Sequence, residues 1–266
     1  MRRTVPGRFS NLELRNEREQ PRALGLSEAG VARDERHYLP LAQEEYRWGR
    51  FEPALRLYTR CLEHNRAVIP AWVGQVQMLV QLDELREARL WADKALELFR
   101  NNGELLAAKA QACVRLADLK AGMSCSDASL QAAGSSPWRW TVRGEALLAQ
   151  SRPQAEACFM KALAEPAADW FDRVVIGRIY LFYRRATNAL AYFKQAVEMA
   201  PAHGYIWFEM GNAHAALGIA AVARTSFQRC LELRADYREA RQALEGLKSM
   251  SIWTRVRGLM RARRGR

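Results

Sequence analysis

A small residue, a large one and a second small one recur along this chain at spacings of four and three. Ala189, Phe193 and Ala196 form the clearest set, in a run that stops at Pro201. Positions three and four apart are neighbours on one face of a helix. A large knob between two small residues lets that face fit closely between two other helices. The triplet returns as Ala54, Tyr58, Cys61; Ala88, Ala92, Ala95; Ala121, Cys125, Ala128; Ala155, Phe159, Ala162; and Ala223, Phe227, Cys230. Its first member advances by 34, 33, 34, 34 and 34 residues. A period held through six copies predicts one supersecondary unit stacked on the next, without a single central core.

Each copy reads as a helical hairpin. In the fifth, Asp169 is a good N-cap for a first helix running to about Tyr183, Arg184 to Asn188 break the pattern, and a second helix carries the triplet to Pro201. The sixth predicts a first helix from about Tyr205 to Ala216, a turn at Gly218 and a second helix ending near Arg234. Pro70, Pro137 and Pro153 suit first-turn positions, Asn102 and Ser136 suit N-caps, and Gly49 suits the turn of the first copy. Pro40 puts the start of the first helix close to His37. In the third copy Lys109 takes the place expected for a small residue, which leaves the register of that first helix open. Trp140, Gly144 and Leu147 of the fourth fit if its turn is one residue shorter.

The sixth copy has Trp207, Met210, Gly211, His214, Ala223, Phe227 and Cys230; the fifth has Ile176, Gly177, Tyr180, Ala189, Phe193, Ala196 and Pro201. These residues resemble the tetratricopeptide repeat family, whose pattern is Trp, Leu-Gly, Tyr, Ala, Phe, Ala, Pro. The resemblance spans residues 35–237. It implies an all-α, right-handed α-solenoid of six repeats, at about 35–68, 69–101, 102–135, 136–169, 170–203 and 204–237. Residues 238–250, opening with capping-box spacing at Asp236 to Glu239, are expected to form a capping helix. Residues 1–34 carry no repeat signature and are expected to be a mostly disordered arm.

The formal charge of +12 changes the picture at one place. From Lys248 onward there are seven basic residues and no acid, whereas the repeats carry a surplus of about +3. Residues 251–266 form a basic amphipathic tail: Ile252, Trp253, Val256, Leu259 and Met260 share one helical face, with Arg255, Arg257, Arg261, Arg263 and Arg264 beside them. That pattern suits an anionic membrane, nucleic acid or an acidic partner. The five cysteines show no CxxC spacing, and Cys61, Cys125 and Cys230 fall in core slots, which reads as reduced thiols in a reducing compartment. No secretory h-region follows Met1, and no run of apolar residues is long enough for a membrane span. The expected location is cytoplasmic or peripheral to the membrane. Arg outnumbers Lys 35 to 6, consistent with a GC-rich bacterial genome.

Catalytic chemistry is hard to place. The four histidines, His37, His64, His203 and His214, show no HExxH or metal-pair spacing, and phosphate-cradling and GxSxG motifs are missing. The expectation is a non-enzymatic protein with no cofactor, no metal and no small-molecule substrate. The resemblance instead implies a concave groove lined by positions 2, 5, 9 and 12 of each first helix. In the fourth to sixth repeats these supply Trp138, Thr141, Glu145 and Leu148; Phe171, Val174, Arg178 and Leu181; and Tyr205, Phe208, Asn212 and Ala215. An aromatic column (Trp138, Phe171, Tyr205, with Phe208) and a polar one (Glu145, Arg178, Asn212) would hold a peptide segment of another protein. Family members that clamp a C-terminal carboxylate use Lys at position 5, where this chain has Leu39, Val73, Leu106, Thr141, Val174 and Phe208. The expected role is a scaffold or adaptor binding a peptide in repeats four to six. The alternatives are an anionic-surface tether using the tail and a regulatory subunit of a larger enzyme complex.

Overall fold

Twelve helices and a further helical run make up the part of the chain that the computed structural model describes, residues 34–247. The expected arm, apart from Asp34, and the basic tail lie outside those residues. The helices pair into hairpins in chain order: α1 (Glu35–Arg47) with α2 (Phe51–His64), α3 (Ile69–Gln81) with α4 (Leu85–Leu98), and α5 (Gly103–Arg115) with α6 (Leu119–Gln131). Then come α7 (Pro137–Ala149) with α8 (Ala155–Ala164), α9 (Trp170–Phe182) with α10 (Ala186–Met199), and α11 (Gly204–Ala216) with α12 (Ala220–Leu233). Residues 238–247 add the run called α13 below. There is no strand among the described residues, and the fold is an all-α solenoid of helix-turn-helix repeats. The first eight helices belong to one compact unit and the rest to a second.

Every first helix is 13 residues long. Side chains of Asp34, Asn102, Ser136 and Asp169 accept from the free N–H groups at the starts of α1, α5, α7 and α9, and Asp169 with Asp172 closes a full capping box. Each first helix then stops at a left-handed residue: Gly49, Asp83, Ala117, Ser151, Arg184 and Gly218, with φ between 54° and 76°. That conformation turns the backbone so that the next N–H groups reach back to the last carbonyls, as Asp118 N does to Cys113 O at 2.9 Å. Four of the six positions carry a side chain there, at a steric cost. Ala117→Gly is therefore expected to stabilise the third hairpin by about 1 kcal/mol, read as a rise in the chemical denaturation midpoint. Loss of stability instead would mean that the Ala117 methyl group is used in packing.

The third repeat sits one residue later than the triplet pattern suggests. Its buried second-helix residues are Gly122, Ser126 and Ser129, while Ala121, Cys125 and Ala128 are half-buried beside them. The slot accepts small residues whatever their polarity. A Cβ on Gly122 would lie 2.6 Å from Val114 Cγ2, and the Ser129 hydroxyl is satisfied by donating to Gly103 O at 2.7 Å. Lys109 accordingly leaves the small-residue slot to Ala110, which is fully buried. Lys109 instead reaches back to Asp93 of the preceding hairpin at 2.6 Å, and that hydrogen bond raises its pKa. Arg143 makes the same contact with Asp127 one repeat on, at 2.6 Å.

Three other expectations shift. The first helix begins at Glu35, and Pro40 lies inside it. In the fourth repeat the lost residue falls between Ser151 and Ala155, so α8 has 10 residues and Pro153 sits in the turn, ahead of the helix. Nevertheless a Cβ on Gly144 would meet Phe159 at 2.3 Å, just as one on Gly177 would meet Phe193, so the pair stays aligned although one residue fewer separates its members. The third change concerns Cys125. Cys61, Cys113, Cys158 and Cys230 are buried, Cys125 is only half-buried, and all five are free thiols. Burial pushes the Cys61 and Cys113 thiols up to about 11 and Cys230 up to about 12, which suppresses the reactive thiolate.

Candidate functional site

With the corrected register, the ninth residue of each first helix is polar throughout. Gln43, Gln77, Gln111 and Glu145 follow one another in the first unit, and Arg178 and Asn212 in the second. Position 5 of the third repeat becomes Ala107 in place of Leu106. The sequence reading missed the run of three glutamines because the third copy was one residue out of frame. The signal was present as a 34-residue step from Gln43 to Gln77 to Gln111.

In the first unit this column descends from surface to interior. Gln43 is exposed, Gln77 half-buried, and Gln111 and Glu145 are fully buried. Glu145 is held by two partners from α5: Gln111 Nε2 donates to one carboxylate oxygen at 2.7 Å, and Arg115 Nε donates to the other. A buried carboxylate survives only when paired in this way. Thr141 and Leu148 on the same helix are buried as well. Trp138 is half-buried against the cluster of Ala107, Ala110 and Val142, so much of its ring packs between neighbouring helices. The expected groove residues of α7 therefore mainly join α5 to α7.

The second unit brings together Arg178, Tyr205, Phe208 and Asn212, with one residue that the sequence reading missed. Glu209, on α11 and nearly fully buried, is the centre of the group. Arg178 Nε approaches a Glu209 oxygen at 3.3 Å, and its Nη1 donates to the Tyr205 hydroxyl at 2.9 Å. Asn212 Nδ2 donates to the second Glu209 oxygen at 3.4 Å. Burial pushes the Tyr205 hydroxyl well above its ordinary range, so it stays protonated. Phe208 is half-buried, with ring centroids 6.4 Å from Tyr205, 5.7 Å from Phe227 and 5.2 Å from Tyr237. Phe171, Val174 and Tyr205 are buried and give the face its floor. What remains open to solvent is part of Arg178, Phe208 and Asn212.

Among the described residues no group of three or more His, Cys, Asp or Glu stands where it could hold a metal ion. No helix among them is long and apolar enough to cross a membrane.

Residues 173–203, which cover most of α9 and α10, match the family model for the tetratricopeptide repeat. Those residues are a tetratricopeptide repeat, and the helix pairs on either side of them repeat its helix-turn-helix form. The chain is 30% identical over 154 residues to Superkiller complex protein 3 of Mus musculus, a match covering 57% of this chain and 10% of that protein. The chain thus spans about a tenth of the length of that curated relative. Among solved structures, a tetratricopeptide repeat protein of Parabacteroides merdae aligns at 15% identity with a TM-score of 0.51, covering 83% of this chain and 87% of the other. TTC0263 of Thermus thermophilus, another such protein, aligns at 16% identity and a TM-score of 0.48, covering 80% of this chain and 98% of the other. Tetratricopeptide repeats generally mediate protein–protein interactions, and their scaffold is typically non-enzymatic.

Proposed function

We propose that this repeat protein is a non-enzymatic scaffold or adaptor, and that its second unit binds a segment of another protein along the face shared by α9 and α11. The observation that supports this is the fixed Arg178 guanidinium. Tyr205 and Glu209 hold it in one orientation, yet its side chain keeps 23% exposure beside the half-buried Phe208 and Asn212. An oriented cation next to aromatic area and an amide is suited to a peptide carbonyl or acidic side chain packed beside an apolar one. In the first unit, Gln43 and Gln77 offer a separate uncharged face, while Trp138 and Glu145 contribute mainly to the packing beneath it. Five free thiols in buried or half-buried places suit a reducing compartment, and the reading places the protein in the cytoplasm.

The test is a selection of random dodecapeptides displayed on phage against the full chain, followed by affinity measurements on the enriched peptides. Arg178→Gln combined with Glu209→Gln removes both charges without stranding either. Binding of the enriched peptides is expected to weaken at least tenfold while the circular dichroism spectrum is kept. Asn212→Ala, which leaves the ion pair in place, is the second probe and should weaken binding several-fold. Peptides that bind wild type and both variants equally would overturn the assignment to this face, as would a selection that enriches nothing.

A further inference from the structure

The sixth hairpin departs from the other five at the start of its second helix. The residue just before that helix is Arg50, Glu84, Asp118, Gln154 and Arg185 in the first five hairpins, and Ile219 in the sixth. Three residues further on stand Pro53, Glu87, Ala121, Ala157 and Asn188, and then Val222. Ile219 and Val222 are each 44% exposed, and Leu217 of the same turn is 40% exposed. An apolar edge of this kind costs free energy while it faces water, and nothing in the packing of α11 on α12 requires it.

The chain itself passes close to this edge. Tyr237 packs on Phe208 in the first half of α11, and α13 starts there, after α12 has brought the chain back. Following α12 after a short turn, as α11 follows α10, α13 heads back toward the end of the unit where Leu217 and Ile219 lie. Five residue steps separate Leu247 from Ile252, a reach of at most about 18 Å. Beyond that point Ile252, Trp253, Val256, Leu259 and Met260 recur at helical spacing.

We propose that residues 252–260 dock on the apolar edge formed by Leu217, Ile219 and Val222. The exposed apolar side chains are thereby covered from within the same chain. The arginines at 255, 257, 261 and 264 stay in water beside and behind that stripe, because the apolar residues take the inner face. The occupant is chosen by proximity and by pattern: a tethered segment is present at high effective concentration, and its apolar stripe answers an apolar edge unique to the hairpin it follows.

Hydrogen exchange followed by mass spectrometry on the full chain tests this. The comparison variant carries Ile219→Arg and Val222→Asn, the residues that the fifth hairpin bears at the same places, so the helix tolerates them. In wild type, peptides covering 252–260 are expected to exchange at least tenfold more slowly than the same sequence as a free peptide. In the variant that protection should fall away while protection of α11 is kept. Trp253→Gln should have the same effect from the other side. Exchange at free-peptide rates in wild type would overturn the proposal, as would protection that survives in both variants. Protection that arises only with rising protein concentration, or only with vesicles of phosphatidylserine and phosphatidylcholine, would equally overturn it. Those results would assign the segment to a second copy or to an anionic membrane.

Discussion

Arg139→Met is expected to destabilise the first unit by about 3–5 kcal/mol, the range for breaking a buried charge network from one side. The guanidinium is 8% exposed and makes contacts that no other side chain could reproduce. Nε donates to Glu104 Oε1 at 2.9 Å, Nη1 to Gly134 O at 2.7 Å and Ala132 O at 3.2 Å, and Nη2 to Ala133 O at 3.0 Å. These carbonyls belong to the end of α6 and to the connection into α7, where helical partners have run out. One side chain therefore closes the joint between the third and fourth hairpins. Gly103 makes room for it, since a Cβ there would lie 2.2 Å from the guanidinium carbon. Arg139→Lys should lose most of the same stability, because a single ammonium cannot span the fork of acceptors. Urea unfolding of both variants is the measurement. A midpoint close to wild type for Arg139→Met would mean that water replaces the guanidinium at those carbonyls.

That joint illustrates what could be read from the chain beforehand. The 34-residue period, the hairpins and the N-caps at Asn102, Ser136 and Asp169 are local consequences of side-chain size and hydrogen-bonding chemistry, so the sequence carries them openly. Arg139 is different. An arginine in the first turn of a helix reads as a solvated charge, and its burial depends on a gap left by Gly103 a whole helical pair earlier. Its trace in the sequence was the small run Ala132-Ala133-Gly134, where a backbone can be approached closely. The third repeat was misread for a related reason. Cys125 was more apolar than Ser126, but the slot selects for volume, and serine is small enough to fill it; at Ser129 the hydroxyl also bonds a carbonyl. Glu209 escaped notice because it lies off the positions that the family pattern assigns to the groove. Its role comes from meeting Arg178 of another helix.

The second large effect is expected at Gly177. A Cβ added there would stand 2.3 Å from a ring carbon of Phe193, well inside contact distance, and both residues lie in the packed seam of the fifth hairpin. The ring is fully buried and cannot swing into solvent, so Gly177→Ala forces α9 and α10 apart. The cost expected for such overpacking is about 1–3 kcal/mol. Phe193→Leu alone also destabilises, by opening a cavity. Combined, the two changes should offset one another, giving a coupling of at least about 1 kcal/mol in a double-mutant cycle. Gly218→Ala is the control: nothing lies within 4 Å of a Cβ at that site, so only the strain of φ +76° enters and no change at Phe227 should relieve it. If the cycle at 177 and 193 is additive, the glycine is present for backbone freedom and the close fit is incidental. If it is coupled, helix separation in the fifth hairpin is set by one glycine against one ring. Gly144 with Phe159 and Gly211 with Phe227, at 2.3 Å and 2.4 Å, then set it in the fourth and sixth by the same fit. Three equal separations are what allow one triplet, repeated along a chain, to specify the spacing within each hairpin without a common core.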